Sequence, residues 1–134
     1  MGECCKGSPV CKHLCGQWVL RLAFAAVFIY HGLGKFPKAP GMAEMMGMDV
    51  AMIYLVAVLE ALGGVLVLAG GFGTQWMSKL GGLFIAPIMV VAILKYHWGQ
   101  WSFAPSETHP MGGVEFQVVL LALALYFMCR GKEA

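Results

Sequence analysis

Four long apolar runs alternate with short polar breaks along the chain, and that alternation predicts its architecture. The runs cover about residues 17–33, 49–69, 75–96 and 113–129. The first is expected to end at Gly34, Pro37 and Pro40, which terminate helices. Asp49 is placed to cap the second, which stops at the glycine-rich stretch Gly70, Gly71 and Gly73. The third contains Pro87, expected to kink it by removing the bond to Leu83. At about 1.5 Å per residue each run is long enough for a hydrocarbon core of about 30 Å. Period-2 alternation is absent, and an open sheet edge would go unpaired in lipid. The pattern therefore predicts an all-α, integral membrane four-helix antiparallel bundle over residues 17–130. A cysteine-containing arm (1–16) precedes it and a short charged tail (131–134) follows. Gly63-Gly64 and Gly81-Gly82 are expected to let the helix backbones approach closely.

Composition turns the pattern into a class. The 134 residues are 60% hydrophobic and 12% charged, with mean hydropathy +0.75. A soluble domain of this size cannot hide that much apolar surface, so the partner is the lipid bilayer. A formal charge of +2 gives no reason to expect nucleic acid. No signal peptide is recognisable, so the first apolar run is expected to remain as a transmembrane helix. Lys6, Lys12, Arg21, Lys79, Arg130 and Lys132 fall on the side of the two termini, against Lys35, Lys38 and Lys95 on the other. This excess places both termini in the cytoplasm of a bacterial-type inner membrane. The stretches 34–48 and 97–112 are then expected to be the outward loops.

The polar residues inside these runs carry the candidate chemistry. On a helix, Arg21, Phe28, His31 and Lys35 fall within an arc of roughly 80°. Such a stripe is costly in lipid unless it faces protein, water or a partner charge. Glu60 lies near the middle of the second run, His97 and Lys95 close the third, and Glu115 opens the fourth. Glu60 is expected to be protonated, to pair with Arg21 or His31, or to meet a wet cavity. A ligand or proton site and a structural ion pair both fit it. His31, His97 and Glu115 have the composition of a two-histidine, one-carboxylate metal site, and two histidines on separate helices can ligate a haem. A quinone headgroup matches better. It needs hydrogen-bond donors and a proton exchanger beside an apolar wall, which His31, Glu60, Tyr30, Phe28 and Trp98 can supply.

Several features read more plainly. Trp98, Trp101 and Phe103, with Trp18 and Trp76 at the other side, are expected to be interfacial anchors. Met42, Met45, Met46, Met48 and Met52 read as gap-filling apolar surface rather than a copper site. His109 has no obvious partner. Cys4, Cys5, Cys11 and Cys15, with His13, offer zinc ligands, but not the paired C-x-x-C spacing of zinc ribbons. The arm is read as flexible and as a docking element for a partner.

Taken together, Arg21-Leu22, Tyr30-His31-Gly32-x-Gly34-Lys35, Leu59-Glu60-x-x-Gly63-Gly64, His97 and Gly113-x-Glu115 resemble the DoxX family of small membrane proteins. The resemblance covers about residues 18–130; the cysteine arm departs from it. The family includes the DoxD-like subunit of thiosulfate:quinone oxidoreductase. The resemblance thus implies a membrane subunit of a quinone-linked redox system of the sulfur- or thiol-oxidising type. In that reading His31 and Glu60 are the catalytic, proton-handling pair. Arg21, Tyr30, Lys35, His97 and Glu115 are the cofactor-binding residues, with quinone as the cofactor and no metal. The chain shows no redox centre of its own, so electrons are expected from an extramembrane protein partner in a membrane complex. The rival reading is a non-catalytic accessory subunit of such a complex, its polar cluster a structural network.

Overall fold

A computed structural model describes residues 16–131, whose regular elements are all helical, with no strand among the described residues. The cysteine arm lies outside these residues, as do Lys132, Glu133 and Ala134. In chain order the elements are α1 (Gly16–Lys35), a 3-10 turn (Phe36–Lys38), α2 (Ala39–Met46), α3 (Val50–Gly70), α4 (Gln75–Ala92), a π turn (Ile93–His97) and α5 (Glu115–Arg130). The stretches Gln17–Met46, Val50–Gly70 and Gln75–His97 are long and apolar enough to cross a membrane. At 16 residues, α5 is the shortest of the four bundle helices.

The helices pack in chain order, each antiparallel to the last, and glycines mark where their backbones touch. A Cβ on Gly32 would sit 2.6 Å from Ala61 N, and one on Gly64 3.2 Å from Ala25 O, which joins α1 to α3. A Cβ on Gly81 would sit 2.6 Å from Gly63 O, joining α3 to α4. One on Gly82 would sit 2.5 Å from Ala124 O, joining α4 to α5. The expected role of Gly63-Gly64 and Gly81-Gly82 is therefore the observed one: close backbone contact in place of side-chain interdigitation. Gly82→Ala is expected to force α4 and α5 apart and cost about 1–3 kcal/mol. Gly34→Ala, where a Cβ meets nothing within 4 Å, should cost nothing. Unfolding midpoints of the two variants in detergent check the contrast.

The first and last helices meet at the end of the bundle that holds Gly16 and Gly131. There Phe24 stacks against Phe28 (centroids 4.6 Å apart) and Phe127 (5.3 Å). These rings, with Val67, Ile85, Leu120 and Ala124, make the buried core. Next to them Arg21 has no exposed surface. Its guanidinium donates to Val67 O (2.6 Å), Ser78 Oγ (2.6 Å) and Gly131 O (2.8 Å), and lies 5.1 Å from the centre of the Phe127 ring. Arg21 thus ties α1 to α3, α4 and the end of α5 through neutral acceptors and an aromatic face.

Two expectations are corrected at the opposite end. Gly34, Pro37 and Pro40 do not stop the helical path. The chain continues through the 3-10 turn into α2, and both prolines sit at the first positions of new turns. Proline is tolerated there because its missing N–H would have no intrahelical acceptor anyway. Segment 34–48 is therefore largely helical rather than a loop. It ends at Gly47, whose left-handed conformation (φ 63°) caps α2 through Ala43 O and Glu44 O. Asp49 occupies the N-cap position of α3 as expected, but its side chain makes no capping bond; its carbonyl accepts from Met52 and Ile53.

The connection between the π turn and α5 is held by its own hydrogen bonds. Gly113 N donates to Ser102 O (2.7 Å) and Val114 N to Gln100 O (2.9 Å). His109, which had no partner legible in the sequence, bridges this loop: its ring nitrogens contact Trp98 O at 2.7 Å and Thr108 Oγ1 at 3.0 Å.

Candidate functional site

Between the helices, toward the α2 end, lies a cavity of about 660 Å³. All four bundle helices and α2 line it. Phe28 and Leu120 stand toward the aromatic core, and Met42, Met46 and Met48 come from α2 and the link after it. Leu55 and Val91 belong to the lining and are half exposed, so the cavity is not sealed from the surroundings of the bundle. Volume and walls are those of a small-molecule pocket.

One polar cluster stands on the α1–α3 wall. Lys35 Nζ lies 2.5 Å from Glu60 Oε2, and Glu60 is 4% exposed. The contact exists because Gly32, one turn before Lys35, seats α1 directly on the α3 backbone at Ala57 and Ala61, which lie on either side of Glu60 in sequence. The partner of Glu60 is thus Lys35, and neither Arg21 nor His31. Lys35 also donates to His31 O at 3.4 Å, within the last turn of α1, where a cation is favoured. His31 also belongs to the lining; it is exposed, and its ring stands edge-on to that of Tyr30, with centroids 5.7 Å apart.

A second cluster comes from the π turn and α5. His97 is 5% exposed; its Nδ1 lies 2.8 Å from Gly112 O and its Nε2 2.9 Å from Gln117 Nε2. A carbonyl can only accept, so Nδ1 carries the proton, and Nε2 accepts from the Gln117 amide. Tyr96, also in the lining, donates from its hydroxyl to Met48 Sδ at 3.0 Å. The wide turn supplies this geometry, since it rotates Tyr96 and His97 away from the register a continuous α-helix would impose. Pro87, further down α4, also lines the cavity.

Of the candidate residues, the cavity gathers His31, Lys35, Glu60 and His97. Arg21 stays at the other end of the bundle. Tyr30 is 77% exposed on the outer surface, and Trp98 is likewise exposed outside the lining. Glu115 accepts from Phe103 N at 3.2 Å and orders the loop. The constellation His31, His97 and Glu115 is not assembled; among the described residues no three His, Cys, Asp or Glu side chains form a metal-ligating group. Four of the five clustered methionines, Met42, Met46, Met48 and Met52, line the cavity, while Met45 is exposed. Sequence reasoning missed Gln117 and Tyr96. The available signal was Gln117 itself, a carboxamide inside an otherwise apolar run.

Comparison with known proteins agrees with this architecture. The DoxX family model matches residues 16–98, which span α1 to the end of the π turn and include His31, Lys35, Glu60 and His97. The chain is similar to "Putative oxidoreductase CatD" of Bacillus subtilis (strain 168), with 29% identity over 121 residues, 88% of this chain and 81% of that protein. No solved structure matches it. With the family model covering well over half of the chain and the four-helix membrane bundle in place, the chain belongs to the DoxX family.

Proposed function

We propose that the chain is the quinone-interacting membrane subunit of a redox system, with an extramembrane partner as the electron donor. The observation that carries this reading is the largely apolar cavity between the helices of a membrane bundle, with the Lys35–Glu60 pair and His31 among its lining residues. A lipid-soluble headgroup reaches such a site without crossing water, and the donor set fits its oxygens. When bound, a quinone supplies a two-electron, two-proton acceptor, which balances the two electrons and two protons released when two thiols become a disulfide. In this proposal the Lys35 ammonium orients a ligand oxygen, and Glu60 Oε2 and the His31 ring hold and pass protons. The methionine-lined end accommodates a flexible apolar tail. The oxidoreductase name of the Bacillus relative supports the class of reaction. The Lys and Arg distribution supports an inner-membrane orientation with both termini in the cytoplasm.

The test is equilibrium binding of decylubiquinone to the protein in lipid nanodiscs. Wild type should bind in the micromolar range, and His31→Gln with Glu60→Gln should weaken binding at least tenfold while the helical content is retained. Equal binding by the double variant would refute the site. One observation favours the accessory-subunit reading: Lys35 and Glu60 already satisfy each other, and among the described residues no buried side-chain nitrogen or oxygen lacks a partner. If that reading holds, the double variant leaves quinone binding untouched and instead weakens co-purification with the partner.

A further inference from the structure

The cavity has a second polar pole, and it is furnished with donors that the protein itself scarcely uses. Tyr96 Oη donates to Met48 Sδ at 3.0 Å, and Met46 O lies at 3.4 Å, the far limit of a bond. A thioether sulfur is a weak acceptor, so the hydroxyl gives up little when a carbonyl or phenolate oxygen presents itself. Beside it, Gln117 donates one amide hydrogen to His97 Nε2. The Nδ1–H bond from His97 to Gly112 O fixes which face of the ring accepts, and therefore which end of the carboxamide is its nitrogen. The second amide hydrogen and the carboxamide oxygen have no other hydrogen bond among the described residues. Both side chains line the same cavity as Lys35 and Glu60, yet they come from different helices: the π turn and α5 against α1 and α3.

We infer that Tyr96 and Gln117 form a second recognition pole, so that the cavity selects a flat ligand with two oxygen acceptors, one held by Lys35 and the other by Tyr96 and Gln117. The inference rests on the quinone reading above and deepens it. It names two ligand-contacting residues, Tyr96 near the end of the segment matched by the family model and Gln117 beyond it, and it sets the ligand class as a ring with two oxygen acceptors rather than any apolar ring with one polar end. His97 is then a positioning residue. It is locked between Gly112 O and Gln117 and holds the amide in the orientation that presents its free hydrogen.

The experiment uses the whole chain in nanodiscs with decylubiquinone as the probe, and the variants Tyr96→Phe and Gln117→Met, which keep ring and volume. Each is expected to raise Kd about tenfold, the loss of one hydrogen bond worth ~1.4 kcal/mol; Tyr96→Phe should leave the ligand-free melting midpoint unchanged, whereas Gln117→Met should lower it, because buried His97 Nε2 loses its donor. The spectroscopic signature is the infrared carbonyl region of bound decylubiquinone. Both carbonyl bands should be shifted from their free positions in wild type, and one of them should return to its free position in the double variant Tyr96→Phe/Gln117→Met. A single shifted band in wild type, or Kd and both bands unmoved by the variants, overturns the second pole while leaving the first intact. Failure of wild type to bind decylubiquinone at all overturns the quinone reading, and the inference with it.

Discussion

Replacing Arg21 by methionine is expected to cost on the order of 3 kcal/mol of stability, because it strips donors from acceptors on buried residues. Ser78 Oγ and Gly131 O are bonded to this guanidinium, and Val67 O receives its third hydrogen. Arg21 has no carboxylate partner in this set, so its contribution is that of a forked donor joining four helices at one end. Arg21→Lys should recover only part of the loss, since an ammonium on a flexible stem does not hold the planar fork or stack on Phe127 in the same way. Unfolding midpoints in mixed micelles measure both. The same variants should bind decylubiquinone as wild type does once folded, because Arg21 lies at the end of the bundle away from the cavity.

The second large effect concerns the pair on the cavity wall. Lys35→Met leaves Glu60 buried without its cation and is expected to cost about 2–4 kcal/mol. The Lys35 side chain retains 17% of its exposure, which places the loss toward the lower end of that range. Adding Glu60→Leu removes the stranded carboxylate, so the double variant should return to within about 1 kcal/mol of wild type. Stability and function then part company. The double variant is stable but lacks the orienting ammonium and the proton-holding carboxylate, and it should not bind quinone. A double-mutant cycle in one lipid composition yields the coupling; no coupling would mean that the pair does not form in the membrane.

Much of the fold could be read from the chain because membrane helices must satisfy their own backbones, so uninterrupted apolar length maps almost directly onto helices. The glycine pairs were legible for the same reason: close backbone approach leaves few residue choices, and Gly63, Gly64, Gly81 and Gly82 are all at crossings. The path after Lys35 was not legible. Proline reads as a stop, and only the tertiary placement of α2 over α3 shows that Pro37 and Pro40 start turns instead. In the site, the expected inward stripe of α1 is buried at Arg21 and Phe28, half-buried at Lys35 and exposed at His31, and a stripe gives direction and not depth. Arg21 and Lys35 share a face and lie some 21 Å apart at about 1.5 Å per residue, so Glu60 could meet only one of them. The stagger set by Gly32 against Ala57 and Ala61 decided for Lys35. Tyr96 and Gln117 escaped notice because their positions depend on the π turn, a local change of register with no composition signal of its own.

The central claim is that a quinone headgroup lies in the cavity between the Lys35–Glu60 pair and the Tyr96–Gln117 pole. The most direct measurement is photolabelling of the nanodisc-embedded chain with an azido-substituted quinone, followed by mapping of the modified residues by mass spectrometry. The account predicts labels concentrated on cavity-lining residues such as Phe28, Met48, Met89 and Phe116, suppressed by excess decylubiquinone. Labels spread over outward residues such as Leu22, Tyr30 and Val119, and insensitive to that competitor, would contradict it.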